Sequence, residues 1–347
     1  MNDFYALTIN NITHQTKDAV VISLEIPSKL KEDFKFIAGQ YIVIKFKINQ
    51  KEIRRSYSIC ATPNAKFLKI AIKALKGGLF SNYANTKLKV GDKLKVSKPQ
   101  GKFILKTNYQ NEKNYLAFAA GSGITPIMAM IYAVLQEEPK SKFVLVYANK
   151  TELDILFKSE LQKLKQDYPN QFFIQYIFSR AHVAQALFGR IDKGIINYSI
   201  KNKFKTFKFD SYYICGPEGM LKTVKESLLA LNVPLDSIYF ELFIESKSKN
   251  KVSATSANAI IILDDENFKI SVKQKQSILE AALAAGIDAP YSCKGGVCAS
   301  CMAKITSGKA KMIKNMVLTD EEISEGFVLT CQAHPTTKEL TVDYDEN

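Results

Sequence analysis

The sequence predicts a multidomain chain: an antiparallel β-barrel, then an α/β doubly wound parallel sheet, then a small third domain organised around cysteines. Three observations carry this reading. Over 5–105, short apolar strands alternate with turns, as in YIVIKFKI, RRSYSIC, LKIAIKAL and DKLKVSKPQGKF, a pattern that suits an antiparallel barrel. From about 113, strand and helix patterns alternate instead, which calls for a parallel sheet covered by helices. Near the C-terminus, Cys293-x4-Cys298-x2-Cys301 is followed by Cys331. A chain of 347 residues has room for two or three domains, each with its own core.

The second domain reads in order as strand NYLAFAA, turn GSGITP, helix IMAMIYAVLQEE, strand KFVLVYA and helix ELDILFKSELQKLKQ. It continues with strands QFFIQYIFS and SYYICG, helix EGMLKTVKESLLALN and strand SIYFELF. The stretch IESKSKNKVSATSAN that follows is polar and aperiodic, so it reads as a linker. The expected boundaries are 1–108 for the barrel, 109–244 for the α/β domain, 245–258 for the linker and 259–347 for the cysteine domain.

The cysteine spacing is that of a plant-type [2Fe–2S] cluster, with three thiolates on one wrapped loop and the fourth distant in sequence. The loop PYSCKGGVCASC supplies small residues and glycines that can curl close around sulfurs. A zinc site would usually pair two knuckles, and the alternative is a disulfide pair. No second knuckle exists, and His334 stands alone, read here as a loop residue. With these residues in view, 258–347 resembles a plant-type ferredoxin domain, including the helix-like SILEAALAAGID. The resemblance implies an α+β β-grasp fold and a low potential, about −400 mV.

The remaining cysteines, Cys60 and Cys215, are too few for a secreted disulfide framework. Cys60 is expected in the core. No signal-peptide pattern appears, and no run approaches the roughly 18 apolar residues of a membrane span; a cytoplasmic location is expected. The net charge of +14 is unevenly placed. From Ala259 onward nine Lys and Arg face thirteen Asp and Glu, whereas the rest holds 39 against 21. Opposite charge on tethered domains favours transient docking, and the lysines form no concentrated stripe with aromatics of the kind a nucleic-acid binder carries.

In the barrel, Arg55-Ser56-Tyr57-Ser58 sets a cation, an aromatic plane and a hydroxyl on one strand, groups suited to a pyrophosphate, an isoalloxazine face and flavin N5. This segment resembles the RxYS motif of the ferredoxin-NADP reductase family. The resemblance implies FAD, with Arg55 on the phosphate, Tyr57 stacked on the ring and Ser58 near N5. Ile72-Lys73 and Gly77-Gly78-Leu79-Phe80-Ser81 match the family's second flavin stretch, which implies roles for Ile72, Lys73, Gly78, Leu79 and Ser81 around the pyrophosphate, a use that helix N-termini serve well.

Gly121-Ser-Gly123-Ile-Thr125-Pro126 lies between a predicted strand and a predicted helix, where a glycine turn can approach a phosphate. It lacks the third glycine of a Rossmann fingerprint but resembles the reductase family's GxGxTP loop. Cys215-Gly216-Pro217 resembles the family's CGP motif beside the nicotinamide ring. Ser179-Arg180 at a strand end and Arg190 nearby suit a 2′-phosphate, which would select NADPH, with NADH as the alternative. Tyr239-Phe240-Glu241-Leu242-Phe243 resembles the E-x-F ending of oxygenase reductases, and Phe243 is expected to shield the nicotinamide pocket.

The order of domains resembles the reductase components that serve phenylacetyl-CoA epoxidase-like oxygenases. It implies an NAD(P)H-dependent oxidoreductase passing electrons through FAD and the cluster to an oxygenase or other acceptor protein. Supply of a diiron desaturase or hydroxylase would use the same motifs, and a redox-sensing electron-transfer module is the reading from another class.

Overall fold

The computed structural model describes residues 4–48, 51–243 and 254–346. The chain divides into two compact units, one over Phe4–Phe243 and one in the C-terminal part beyond it. The expected linker falls largely outside the described residues; its last two, Ala257 and Asn258, already belong to a strand of the C-terminal unit.

The barrel comprises β1 (Tyr5–Thr16), β2 (Ala19–Glu25), β3 (Tyr41–Ile48), β4 (Lys51–Ser58), β5 (Phe67–Lys73), helix α1 (Leu79–Thr86) and β6 (Lys93–Val96). Its strands pair antiparallel in the order β4-β3-β6-β1-β2-β5. An antiparallel bridge between Ile59 and Ile70 closes the ends onto each other. Alternation sends Leu7, Ile9, Ile22, Leu24, Ile42, Ile44, Leu68 and Ile70 inward, all fully buried.

The second layer holds β7 (Asn114–Ala120), α2 (Ile124–Glu137), β8 (Lys142–Asn149), α3 (Lys158–Asp167), β9 (Phe172–Phe178), β10 (Leu187–Phe188), α4 (Lys193–Asn197), β11 (Ser211–Cys215), α5 (Glu218–Ala230) and β12 (Ile238–Glu241). All pairs are parallel, in the order β10-β9-β8-β7-β11-β12. The chain works outward from β7 to β10, then returns to the other side of β7 at β11. That reversal opens a crevice at the carboxyl edge between β7 and β11, the usual ligand site of such sheets.

Two expectations change here. The helix read over 152–166 begins only at Lys158, because Ile155, Leu156 and Phe157 turn inward and are at most 3% exposed. Phe157 takes a left-handed φ of 60°, and its amide donates to Gln15 Oε1 of the barrel at 3.0 Å. β10 is an additional strand; two residues are too few to show a period.

The barrel and the parallel sheet share a core. Ala19, Val21, Cys60 and Ala71 of the barrel cluster with Ile127, Met130 and Val134 of α2, and Phe103 meets Tyr213 edge-on at 5.8 Å. Cys60 is 2% exposed.

The C-terminal unit contains β13 (Ala257–Leu263), β14 (Glu266–Val272), α6 (Ile278–Ala284), β15 (Met302–Ser307), β16 (Ala310–Met312), α7 (Asp320–Ser324), β17 (Phe327–Leu329), β18 (Ala333–Pro335) and β19 (Glu339–Asp343). Its mixed sheet runs β14-β13-β19-β15-β17, with β13 and β19 parallel and α6 packed into the same core. Ser277 and Glu280 cap α6 reciprocally. His334 lies not in a loop but in β18, opposite Lys311, and is 8% exposed. Among the described residues no helix is long and apolar enough to cross a membrane.

Candidate functional site

Two sites emerge, one in each unit. In the first, β4 delivers Arg55 exposed at the surface, Tyr57 half-buried and Ser58 buried. Burial raises the Tyr57 hydroxyl, opposed by the Arg55 charge, so the ring stays a neutral aromatic surface. Tyr57 and Phe80 of α1 lie 5.9 Å apart between centroids, which brings the two predicted flavin stretches together.

At the start of α1, Ser81 Oγ accepts from the Leu75 amide at 3.2 Å. A Cβ on Gly78 would fall 2.4 Å from that oxygen and 3.2 Å from the Leu75 carbonyl, so the turn requires glycine. Leu79 is 50% exposed beside it. The exposed guanidinium, the aromatic ring and the glycine-opened helix start form a donor set that fits a flavin dinucleotide. Ile72 and Lys73 fit less directly. Ile72 is fully buried in the barrel core with its carbonyl accepting from Asn85, and Lys73 Nζ lies 3.6 Å from Asp18.

The nicotinamide motifs converge at the sheet's switch point. A Cβ on Gly123 would lie 2.1 Å from the Cys215 carbonyl oxygen, so the second glycine of GSGITP lets the two turns touch. On Gly216 a Cβ would meet Met220 Cε at 2.5 Å and Ala120 Cβ at 3.2 Å. Thr125 and Pro126 are buried in the first turn of α2, with Thr125 Oγ1 donating to the Ser122 carbonyl at 3.0 Å. Pro217 caps α5. Gly121 has a φ of 54° and open space before it.

Cys215 is fully buried and pairs in register with Glu241 of β12. Ser58 Oγ donates to Glu241 Oε2 at 3.3 Å, joining β4 of the barrel to β12 of the parallel sheet. Burial pushes the Glu241 carboxyl up to about 8, against the opposing Ser58 hydrogen bond. Burial first, then the nearby Glu241, raises the Cys215 thiol. Glu241 is the acid of the E-x-F segment, to which motif reading assigned no role of its own. Its signal was an acid in an otherwise apolar terminal strand, IYFELF. Phe243, two residues on, is 37% exposed.

At the far side of the edge, the Ser179 and Arg180 amides donate to the carbonyls of Asn149 and Lys150. Arg180 and Arg190 are exposed and form no ion pair among the described residues.

The second site is the cysteine quartet, all of it free of disulfides. Cys298 Sγ lies 3.1 Å from Cys293 Sγ, and the Cys301 and Cys331 side chains are hydrogen-bonded to each other. The Cys298 and Cys331 thiols, with the amides of Gly295 and Val297, hold the Cys293 thiol far below its ordinary range. Gly295 N–H donates to Cys293 Sγ at 3.3 Å. A Cβ on Gly296 would meet the Lys314 carbonyl oxygen at 2.7 Å, so only glycine closes this loop at its φ of 70°. Thr330 donates through both its amide and its hydroxyl to the Cys301 carbonyl, and Tyr344 donates to the Thr330 hydroxyl, which ties the turn that carries Cys331 to the loop.

Four thiols gathered in one cluster, with Cys293 beside both Cys298 and Cys331 and with amides aimed at sulfur, fit a two-iron cluster.

Comparison with known proteins matches three domain families along the chain. Residues 6–105 match the oxidoreductase FAD-binding domain family, 118–226 the oxidoreductase NAD-binding domain family and 261–336 the 2Fe-2S iron-sulfur cluster binding domain family. The chain is 37% identical to one of the subunits of 1,2-phenylacetyl-CoA epoxidase from Escherichia coli, over 99% of both chains. It is 29% identical to the ferredoxin reductase component of 3-ketosteroid-9-alpha-monooxygenase from Rhodococcus rhodochrous, over 97% of this chain and 96% of the relative. Among solved structures it resembles phthalate dioxygenase reductase, with a TM-score of 0.62 and 25% identity over 98% of both chains.

Proposed function

The chain belongs to the family of ferredoxin reductase-type oxygenase reductase components with FAD-binding, NAD-binding and 2Fe-2S domains, and on that premise we propose that it draws electrons from NADPH to serve a phenylacetyl-CoA epoxidase-like oxygenase in the cytoplasm. The observation that carries the reading is the junction at which Ser58 of the flavin strand, Cys215 of the nicotinamide turn and Glu241 meet. A flavin bound there would convert a two-electron hydride donor into single electrons, which a cluster held by Cys293, Cys298, Cys301 and Cys331 would carry onward.

The protein's own part is alignment and exclusion of water. Tyr57 supplies the aromatic surface, while Arg55, Gly78, Leu79 and Ser81 receive the phosphates. Gly121 and Gly123 bring a dinucleotide close to the sheet edge. Cys215 presents a neutral, buried sulfur beside Glu241, and below pH 8 Glu241 keeps a proton on its carboxyl, so no negative charge forms next to the reacting centre. Phe243 shields the pocket.

Arg180 and Arg190, exposed beside Ser179 and unpaired by any described acid, support NADPH over NADH. The test is steady-state reduction of ferricyanide and of a phenylacetyl-CoA epoxidase-like oxygenase with each nucleotide. NADPH should give the higher kcat/KM, and Arg180→Ala should raise its KM by about tenfold or more, the loss of one charge-assisted hydrogen bond, while leaving the KM for NADH within about twofold. A kcat/KM favouring NADH would overturn the choice of nucleotide, and failure to reduce the oxygenase would overturn the choice of partner.

A further inference from the structure

At the carboxyl end of β8 one polar side chain has nothing to bond. Asn149 is 8% exposed, and neither its amide nitrogen nor its amide oxygen has a hydrogen-bond partner. Its surroundings are otherwise satisfied. The Tyr147 hydroxyl lies close enough to feel this amide, yet donates to the Gly121 carbonyl at 3.0 Å and accepts from the Leu156 amide at 3.3 Å. Thr151 and Asp154 cap each other's turn, and the Asn149 backbone carbonyl accepts from Ser179 at 3.0 Å. A buried amide left unpaired loses its hydration with nothing in return, so such a group calls for a ligand or another specific reason.

Its position indicates which ligand. β8 lies between β7, which opens into the Gly121 turn, and β9, which runs into Ser179 and Arg180. Asn149 sits one residue past the Ala120–Ala148 pair, opposite Phe178. Strand alternation puts it on the same side as Tyr147, whose hydroxyl reaches Gly121. The space in front of Gly121 is open. Asn149 therefore stands between the turn that suits a pyrophosphate and the groups that suit the 2′ position of an adenosine.

The amide's own chemistry narrows the ligand further. A phosphate oxygen only accepts, and would leave Asn149 Oδ1 buried and unpaired. A cation only donates, and would leave Nδ2 unpaired. A sugar hydroxyl does both. We propose that Asn149 binds the 3′-hydroxyl of the adenosine ribose of the nicotinamide dinucleotide, the hydroxyl that NADH and NADPH share at that ribose. This rests on reading the β7–β9 edge as the nucleotide site, but not on the preference for NADPH.

The test uses the full chain with its flavin and cluster loaded, titrated calorimetrically with ADP and 3′-deoxy-ADP. The wild-type protein should bind ADP about five- to tenfold more tightly, the value of one hydrogen bond to a buried amide. Asn149→Leu, nearly isosteric and apolar, should bind both alike, raise KM for the dinucleotide with kcat unchanged, and melt no lower than wild type without nucleotide. Equal binding of the two ligands by the wild-type protein would overturn the proposal. So would a variant that still discriminates between them, or one whose melting temperature falls while affinity for both drops together, the mark of a purely structural asparagine. Failure of the wild-type protein to bind either ADP or NADPH would instead sink the reading of this edge as a nucleotide site.

Discussion

The cysteine loop and the Ser58–Cys215–Glu241 junction are built in opposite ways. The loop takes three of its four ligands from nine consecutive residues, Cys293 to Cys301, and its glycines fold it onto itself. The junction takes its three groups from the barrel, from β11 and from β12, and Ser58 and Glu241 are 183 residues apart in sequence. A site with contiguous ligands depends on local backbone geometry. A site with dispersed ligands depends on the fold beneath it, so the two should fail differently when disturbed.

The largest effect is expected from Cys298→Ser. Loss of one cluster ligand should reduce electron delivery to a protein acceptor by more than about 100-fold, while NADPH–ferricyanide activity stays within about twofold. Equal loss of both activities would show that the two sites are not separable.

Next in size is Gly123→Ala at the junction. The added methyl would sit 2.1 Å from the Cys215 carbonyl oxygen, backbone against backbone, and forcing those turns apart should cost about 1–3 kcal/mol and about tenfold or more in kcat/KM for the nucleotide. The visible spectrum of the cluster should be unchanged. Bleaching of the cluster by this substitution would break the contrast between the two sites.

The smallest effect lies in pH. Glu241 holds its proton in the folded protein up to about 8, against 4.5 for an ordinary glutamate. As pH rises from 4.5 to 8 the unfolded chain releases that proton first, so this carboxyl lowers stability progressively and the loss levels off above pH 8. Glu241→Gln removes the dependence. The melting temperature of the variant relative to wild type should therefore move upward between pH 5 and pH 8. A difference constant with pH would show that the carboxyl is already ionised in the fold.

The same contrast explains what the sequence disclosed. The CKGGVCASC loop, the RSYS strand and the two glycine turns were legible because each packs its chemistry into a few adjacent residues. Alternating strands and a strand-helix rhythm likewise carried the barrel and the parallel sheet. Glu241 was visible as the acid of the E-x-F segment, but its partners Ser58 and Cys215 lie in no local window that contains it. The break at Phe157 was hidden for a similar reason: its left-handed backbone answers to Gln15, far upstream. Asn149 looks like an ordinary strand-end residue until its burial and its lack of partners are seen together. Lys73 shows the converse, a residue whose motif position suggested a phosphate but whose ammonium lies beside Asp18.

The core shared by Ala19, Val21, Cys60 and Ala71 with α2 also bears on how this chain can be recombined. Three domain families match it, but the barrel and the parallel sheet cannot be exchanged singly without exposing that common interior. As interchangeable parts they count as one. A chimera that keeps 4–243 intact and replaces the cluster-bearing unit preserves every buried apolar contact of that shared core, whereas a cut near 108 severs Phe103 and Leu105 from the interior in which both are buried.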